Sequence, residues 1–328
     1  MILRKLTAAF AVLLLVAVPA QGAREAEAIK VNSAKNLTGT QRVVIGQFSI
    51  GFLIERKDST KAGGGLMGSG FGGRSTVRST LGGYTPEDLQ NATNAAYDDF
   101  VAKLTAAGFE VVDRAPLAAD PAVAREAGEA APREFTTVTG RDDKAKVMVV
   151  GASQTAPLRI MPGDVMVGGF GAIGMNMAAG RVQTAFSNYA KANDARVINV
   201  IYYIDFANSE EYGGWFRSSS AIKVNGSLAL MPDYSKVTVI GPDYKIGSLV
   251  LKDPVAVGGD FFDKEDTQSG AEKATNRVAN VIGFLGGVGT NSSRKFSFTA
   301  RPGAYVAGVG QATAEASTLL AQKLATLR

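Results

Sequence analysis

From Val43 to Ile54 the chain is almost unbroken in β-branched, aromatic and other apolar residues, with Phe48, Ile50, Phe52 and Ile54 at alternate positions. That pattern predicts one long strand. Ser59 to Gly83 is rich in Gly, Ser and Thr, including Gly63-Gly64-Gly65 and Gly68-Ser69-Gly70-Phe71-Gly72-Gly73, and reads as a mobile loop. Thr85-Pro86-Glu87 then supplies a hydroxyl cap, a first-turn proline and an acid, the signature of a helix start. Leu89, Ala92, Ala96, Phe100, Val101 and Leu104 recur at three- and four-residue spacing up to Gly108, a natural stop. Phe109 to Asp113 reads as a short strand, Pro121 to Ala131 as a weakly apolar helix, and Lys146 to Gly151 as a buried strand. This rhythm belongs to a mixed α/β layer.

In the second half, Arg196 to Phe206 places Ile198, Val200, Tyr202, Ile204 and Phe206 on one face of a strand. Ala221 to Met231 alternates as well, with Ile222, Val224, Gly226, Leu228 and Leu230 opposite Lys223, Asn225, Ser227 and Ala229. A polar loop with Glu210, Glu211 and Trp215 is expected between them. The strand length suits a half-buried soluble sheet and also a membrane β-barrel, whose strands need about 9–11 residues. Ile198, Val200, Tyr202, Ile204, Ile222, Val224, Leu228 and Leu230 therefore form either a sheet face or a membrane face. One strand pair cannot close a barrel, so membrane contact would require hairpins from several subunits. Val237–Ile240 and Ser248–Leu251 follow as strands around a Gly241-Pro242-Asp243 turn. Helices are expected over Ala271–Leu285 and Pro302–Leu327. In the latter, Tyr305, Val309, Leu319, Leu320, Leu324 and Leu327 make a stripe suited to core docking or to a subunit interface. The expected fold is α+β: a mixed sheet covered by helices, the second half rich in antiparallel strands, with a C-terminal amphipathic helix. Residues 42–160 and 161–328 are read as two halves of one continuous domain.

The N-terminus changes the picture of compartment. Arg4 and Lys5 precede an apolar run from Leu6 to Val18 with small residues after it, the layout of a signal peptide over residues 1–20 cleaved at about 20–23. Polar residues 24–41 read as an extended lead-in. The expected destination is the periplasm, the outer membrane or the cell surface. Lys+Arg exceed Asp+Glu by 35 to 30, and losing Arg4 and Lys5 lowers the net charge from +5 to +3, too little and too dispersed along the chain to imply nucleic acid. There is no Cys and no His, which excludes thiol and imidazole nucleophiles, His bases, disulfides and Cys/His zinc sites.

The other chemical signals are weak. Gly169-Phe170-Gly171-Ala172-Ile173-Gly174 matches G-x-G-x-x-G before a helix expected over Met177–Ala192, but the acid ending the next strand, Asp205, lies well beyond the usual spacing of about 20 residues. A plain glycine turn is expected there instead. The pairs Asp98/Asp99, Asp142/Asp143 and Glu210/Glu211 are adjacent, so their side chains point apart. Asp260, Asp263, Glu265 and Asp266 lack the spacing of a calcium loop and read as a solvated loop. With no Gly-x-Ser-x-Gly elbow either, no catalytic, metal or cofactor-binding residue is assigned, no cofactor is expected and the chain is read as a non-enzyme.

The strand Val43 to Phe48, the helix ending in Phe100-Val101-Ala102-Lys103-Leu104, the short strand Phe109 to Asp113 and Lys146 to Gly151 together resemble the periplasmic domain of the curli-export channel lipoprotein family. Gly168 to Gly174, the helix containing Arg181 to Tyr189 and the strand Arg196 to Phe206 are similar to that family's layout, so the resemblance spans roughly residues 42–206. It implies an envelope oligomer whose subunits donate β-hairpins to an outer-membrane pore. The chain departs from the family in lacking the lipidated cysteine. Two expectations follow: a non-enzymatic envelope protein with an assembly or secretion-associated role, acting through a homo-oligomer or an envelope protein partner, or a soluble periplasmic binding protein for an apolar or small ligand.

Overall fold

The computed structural model describes residues 28–62, 73–126, 128–138, 144–165, 170–212, 221–270, 272 and 290–327. The segment read as a signal peptide, Trp215, and all but Glu272 of the helix expected over Ala271–Leu285 lie outside the described residues.

Two long parallel strands form the spine, β2 (Arg42–Ala62) and β7 (Arg196–Tyr212), paired from Val43↔Arg196 to Phe52↔Ile204 with one register shift between Ile45 and Gln47. Both are apolar on both faces, as strands covered on each side must be, and Val43, Val44, Ile45, Ile50, Val197, Ile198, Ile201 and Tyr202 are all buried. Outward from β7 lie β9 (Lys236–Ile240), β10 (Ile246–Leu251) and β1 (Ile29–Asn32), each antiparallel to its neighbour. On the other side of β2 come β4 (Glu110–Val111) and β6 (Lys144–Gly151), with β5 (Arg133–Val138) on β6.

Helices cover both faces. The α1 helix (Pro86–Ala106) is held at its start by a reciprocal capping box: Asp88 N–H donates to Thr85 Oγ1 at 3.1 Å, and Thr85 N–H donates to Asp88 Oδ2 at 2.8 Å. It ends before Gly108, whose φ of +87° is left-handed. Its buried face packs with α5 (Pro302–Ala325) against one side of the spine, where the Phe48 ring meets Phe100 and Tyr202. The short α2 (Ala115–Ala119) and α3 (Pro121–Arg125), with the long α4 (Phe170–Ala192), close the other side over Val44, Val197 and Ile240.

Past Phe52 and Ile204 the spine forks. β2 continues with β3 (Gly73–Gly82), and β7 with β8 (Ala221–Leu230), each pair antiparallel. β13 (Thr290–Ala300) runs parallel to β3, β12 (Phe262–Asp266) pairs with β13, and β11 (Val255–Val257) pairs with β8. The two branches curl toward each other: Gly226 of β8 lies against the rings of Phe262 and Phe298, and Lys264 Nζ donates to the Val224 carbonyl. One mixed sheet therefore unites both halves of the chain, an α+β fold.

Several local expectations give way. The stretch Ser59–Gly83 is not a loop throughout: β2 runs to Ala62 and Gly73–Gly82 is β3, because Ser and Thr take part readily in a ladder once a partner strand is present. The lead-in contributes β1 and buries Leu37 completely. The helix expected over Pro121–Ala131 stops at Arg125, and β5 follows. The glycine turn expected before Met177 is replaced by helix from Phe170 onward. Glu210 and Glu211 lie within β7 rather than a loop, and Asp263, Glu265 and Asp266 lie within the edge strand β12.

Candidate functional site

The fork is closed by charge. Arg56 of β2 donates from Nη2 to Asp58 Oδ1 at 2.7 Å and from Nη1 to Asp205 and to the Ala207 carbonyl of β7. Asp58 is buried, and the ladder between β7 and β8 shifts register between Asp205 and Ala207, where Arg56 satisfies the displaced carbonyl. Burial drives the Asp205 carboxyl above the ordinary range, and the neighbouring guanidinium opposes it. For Arg56, burial works against the charge, but Asp205 and Asp58 more than reverse this and raise its pKa. This cluster joins the bases of the two branches and is largely withdrawn from water.

Beyond the fork, the sheet has one inward and one outward face. Asp58, Ser75, Val77, Ser79, Leu81, Ala145 and Phe298 point inward and are buried. Outward, one cross-strand row is formed entirely of cations: Lys144 of β6 opposes Lys57 of β2, Lys57 opposes Arg78 of β3, and Arg78 opposes Lys295 of β13. Four residues along, on the same face, Lys61 opposes Arg74. At about 3.4 Å per residue the two rows lie about 14 Å apart. Ser59 and Thr76 lie between them. Arg78, Lys144 and Lys295 are exposed and Lys57 is half-buried. Lys295 pairs with Glu272 at 2.5 Å, whereas Lys146 of the next row is held by Glu55 and Glu134 at 3.6 and 3.5 Å. Among the described residues, no ion pair joins Lys57, Arg78 or Lys144 to an acid. Directly opposed like charges destabilise a sheet, so this row is an expense of the fold.

No family model matches the chain, and neither a curated protein nor a solved structure does.

The residues singled out by alternation lie elsewhere. Ile198, Val200, Tyr202, Ile204, Ile222, Val224, Leu228 and Leu230 are all buried inside this chain, so they form an internal sheet face, with no surface offered to lipid in this arrangement. Tyr305, Val309, Leu320 and Leu324 are buried beneath α5, and Leu319 and Leu327 pack partly buried against the same core. That stripe docks the helix on the core of its own chain, and Tyr202 O–H lies 3.1 Å from Ser317 Oγ of α5. Of the paired acids, Asp98 accepts from Gln154 at 3.1 Å, Asp99 lies 3.9 Å from Lys103, and Asp260 and Asp263 both hold Arg301. Among the described residues, no group of three or more acids could hold a metal ion, and no helix is long and apolar enough to cross a membrane. The cationic rows were missed because their members come from four strands. The spacing of four in Lys57/Lys61 and Arg74/Arg78 was the local signal, since it keeps each pair on one face of a strand.

Proposed function

We propose that this protein is an exported component of a bacterial cell envelope with a non-enzymatic assembly or secretion-associated role, acting by contact with an acidic face of a protein partner or of another copy of itself. The observation that carries this reading is the outward row Lys144–Lys57–Arg78–Lys295, flanked by Lys61 and Arg74. A row of like charges destabilises the isolated fold, and an opposing acidic surface converts that repulsion into attraction and steers association. Export is supported by the N-terminal sequence pattern, and the envelope setting by the layout that resembles the curli-export channel lipoproteins.

The test is the native mass and membrane partition of the mature protein, compared with a Lys57→Glu/Arg78→Glu variant. The expected result is a defined assembly, or retention with the envelope fraction, that dissolves as salt rises and is lost in the variant while the far-UV spectrum is unchanged. A wild-type protein that is monomeric and soluble at low salt overturns the reading.

A further inference from the structure

A cavity of about 410 Å³ lies between α4, β5 and the segment around Leu158, away from the cationic rows. Its apolar wall is made by Phe135, Leu158, Ile160, Met175, Ala179 and Val182. Its volume falls within the roughly 300–1,000 Å³ of small-molecule sites. The α4 helix leaves this space because small residues face it: a Cβ added at Gly174 would meet nothing within 4 Å. The same stretch of helix exposes Ile173 and Met177, which are 58% and 64% accessible. Large apolar residues standing in water beside an apolar cavity suit a site that takes an apolar ligand.

The most buried of the cavity's charged lining residues is Arg159, only 6% accessible. Its backbone is fixed, the N–H donating to the buried Gln47 Oε1 at 3.0 Å. Its guanidinium is poorly satisfied. Nη1 and Nη2 reach the Pro157 and Val123 carbonyls only at 3.5 Å, and Nε has no hydrogen-bond partner among the described residues. Among the described residues, no carboxylate pairs with it. A buried, hydrogen-bond-deficient guanidinium is costly in an empty site and becomes favourable when an anion fills the deficit. At the rim, Arg133 pairs with Glu129 and stacks 4.8 Å from the Phe135 ring centroid. Among the lining residues Arg159, Arg133 and Glu129 leave one excess positive charge, and the nearby Arg114 repels Arg159, so the site favours an anionic head.

We infer that this cavity binds a single-tailed aliphatic carboxylate, its head on Arg159 and its tail against Phe135, Met175 and Val182. The site is independent of the proposed docking face, since none of its residues belongs to the cationic rows.

Calorimetry on the mature protein, with decanoate as the probe, decanol as the neutral-headed control and acetate as the tail-less one, tests it. Decanoate should bind about tenfold or more tightly than decanol, given the strength of a charge-assisted head contact. Shortening the tail should weaken binding roughly fourfold per methylene, and acetate should not register. Arg159→Met should abolish the preference for decanoate over decanol. Gly174→Leu, which fills the cavity, should remove binding of both without lowering the melting temperature. Decanoate binding no tighter than decanol in the wild-type protein, or unchanged by Gly174→Leu, overturns the inference, and neither outcome depends on Arg159→Met folding.

Discussion

Arg56 leaves water to lie between Asp58 and Asp205, and it does so where two strands separate and a carbonyl loses its ladder partner. Removing it would strand two carboxylates in the interior. Arg56→Met should therefore lower the unfolding free energy in urea by roughly 3–5 kcal/mol, and adding Asp205→Asn should recover part of the loss. A loss below about 1 kcal/mol would mean that water reaches the fork and screens the pair. Glu272 provides a second test at this scale. Its hydrogen bond from Lys295, reinforced by the backbone N–H of Ser269, pulls its pKa down from 4.5 to about 2. A folded pKa below the unfolded one stabilises the fold above about 4.5 and loses that effect as pH falls through about 2. The Glu272 carboxyl should titrate by NMR near the lower value, and Lys295→Ala should move it upward. Neither pairing was legible in the sequence. Asp205 was visible only as an acid ending a strand, because nothing along the chain connects it to Arg56, 149 positions away.

Elements whose causes are local were legible. The α1 helix begins at its proline, ends before its glycine, and buries Leu89, Ala92, Ala96, Phe100 and Leu104 of the predicted stripe. Its start is a capping box, so Thr85→Ala should cost about 1 kcal/mol in thermal unfolding, whereas Thr85→Ser should be nearly neutral. Equal losses in the two variants would show that the hydroxyl is not the stabilising group. Elements defined by their partners were hidden. β3 reads as Gly, Arg, Ser and Thr with Val77 and Leu81 alone as large apolar residues, and it becomes a strand because β2 and β13 flank it. The start of α4 was hidden for the opposite reason. Each interior glycine disfavours helix by about 1 kcal/mol, so Gly171 and Gly174 argued for a turn, yet the helix runs through them from Phe170. The small residues that obscured the helix in the sequence also leave the cavity beside Gly174.

At the scale of the molecule, a net charge summed along the sequence concealed an arrangement that only the sheet reveals. Lys57, Arg78, Lys144 and Lys295 come from four separate strands, and the register sets them in one line. Neighbours in that line are separated by about 4.5–5.5 Å between Cβ atoms, well inside a Debye length of about 10 Å at 0.1 M salt. The repulsion should therefore be felt in dilute buffer and fade as salt is added. Replacing Lys57 and Arg78 together by Gln should raise unfolding stability at low ionic strength by a few tenths of a kcal/mol to about 1 kcal/mol per relieved contact. The wild-type melting temperature should climb more steeply with salt than that of the variant, and the two should converge near 1 M, where the Debye length shrinks to about 3 Å. A cationic row kept for structure would give the reverse, a variant that melts lower at every salt concentration. A row kept for a partner instead predicts that the more stable variant is the one that fails to associate, because the charge that opposes folding is the charge an acidic surface would neutralise.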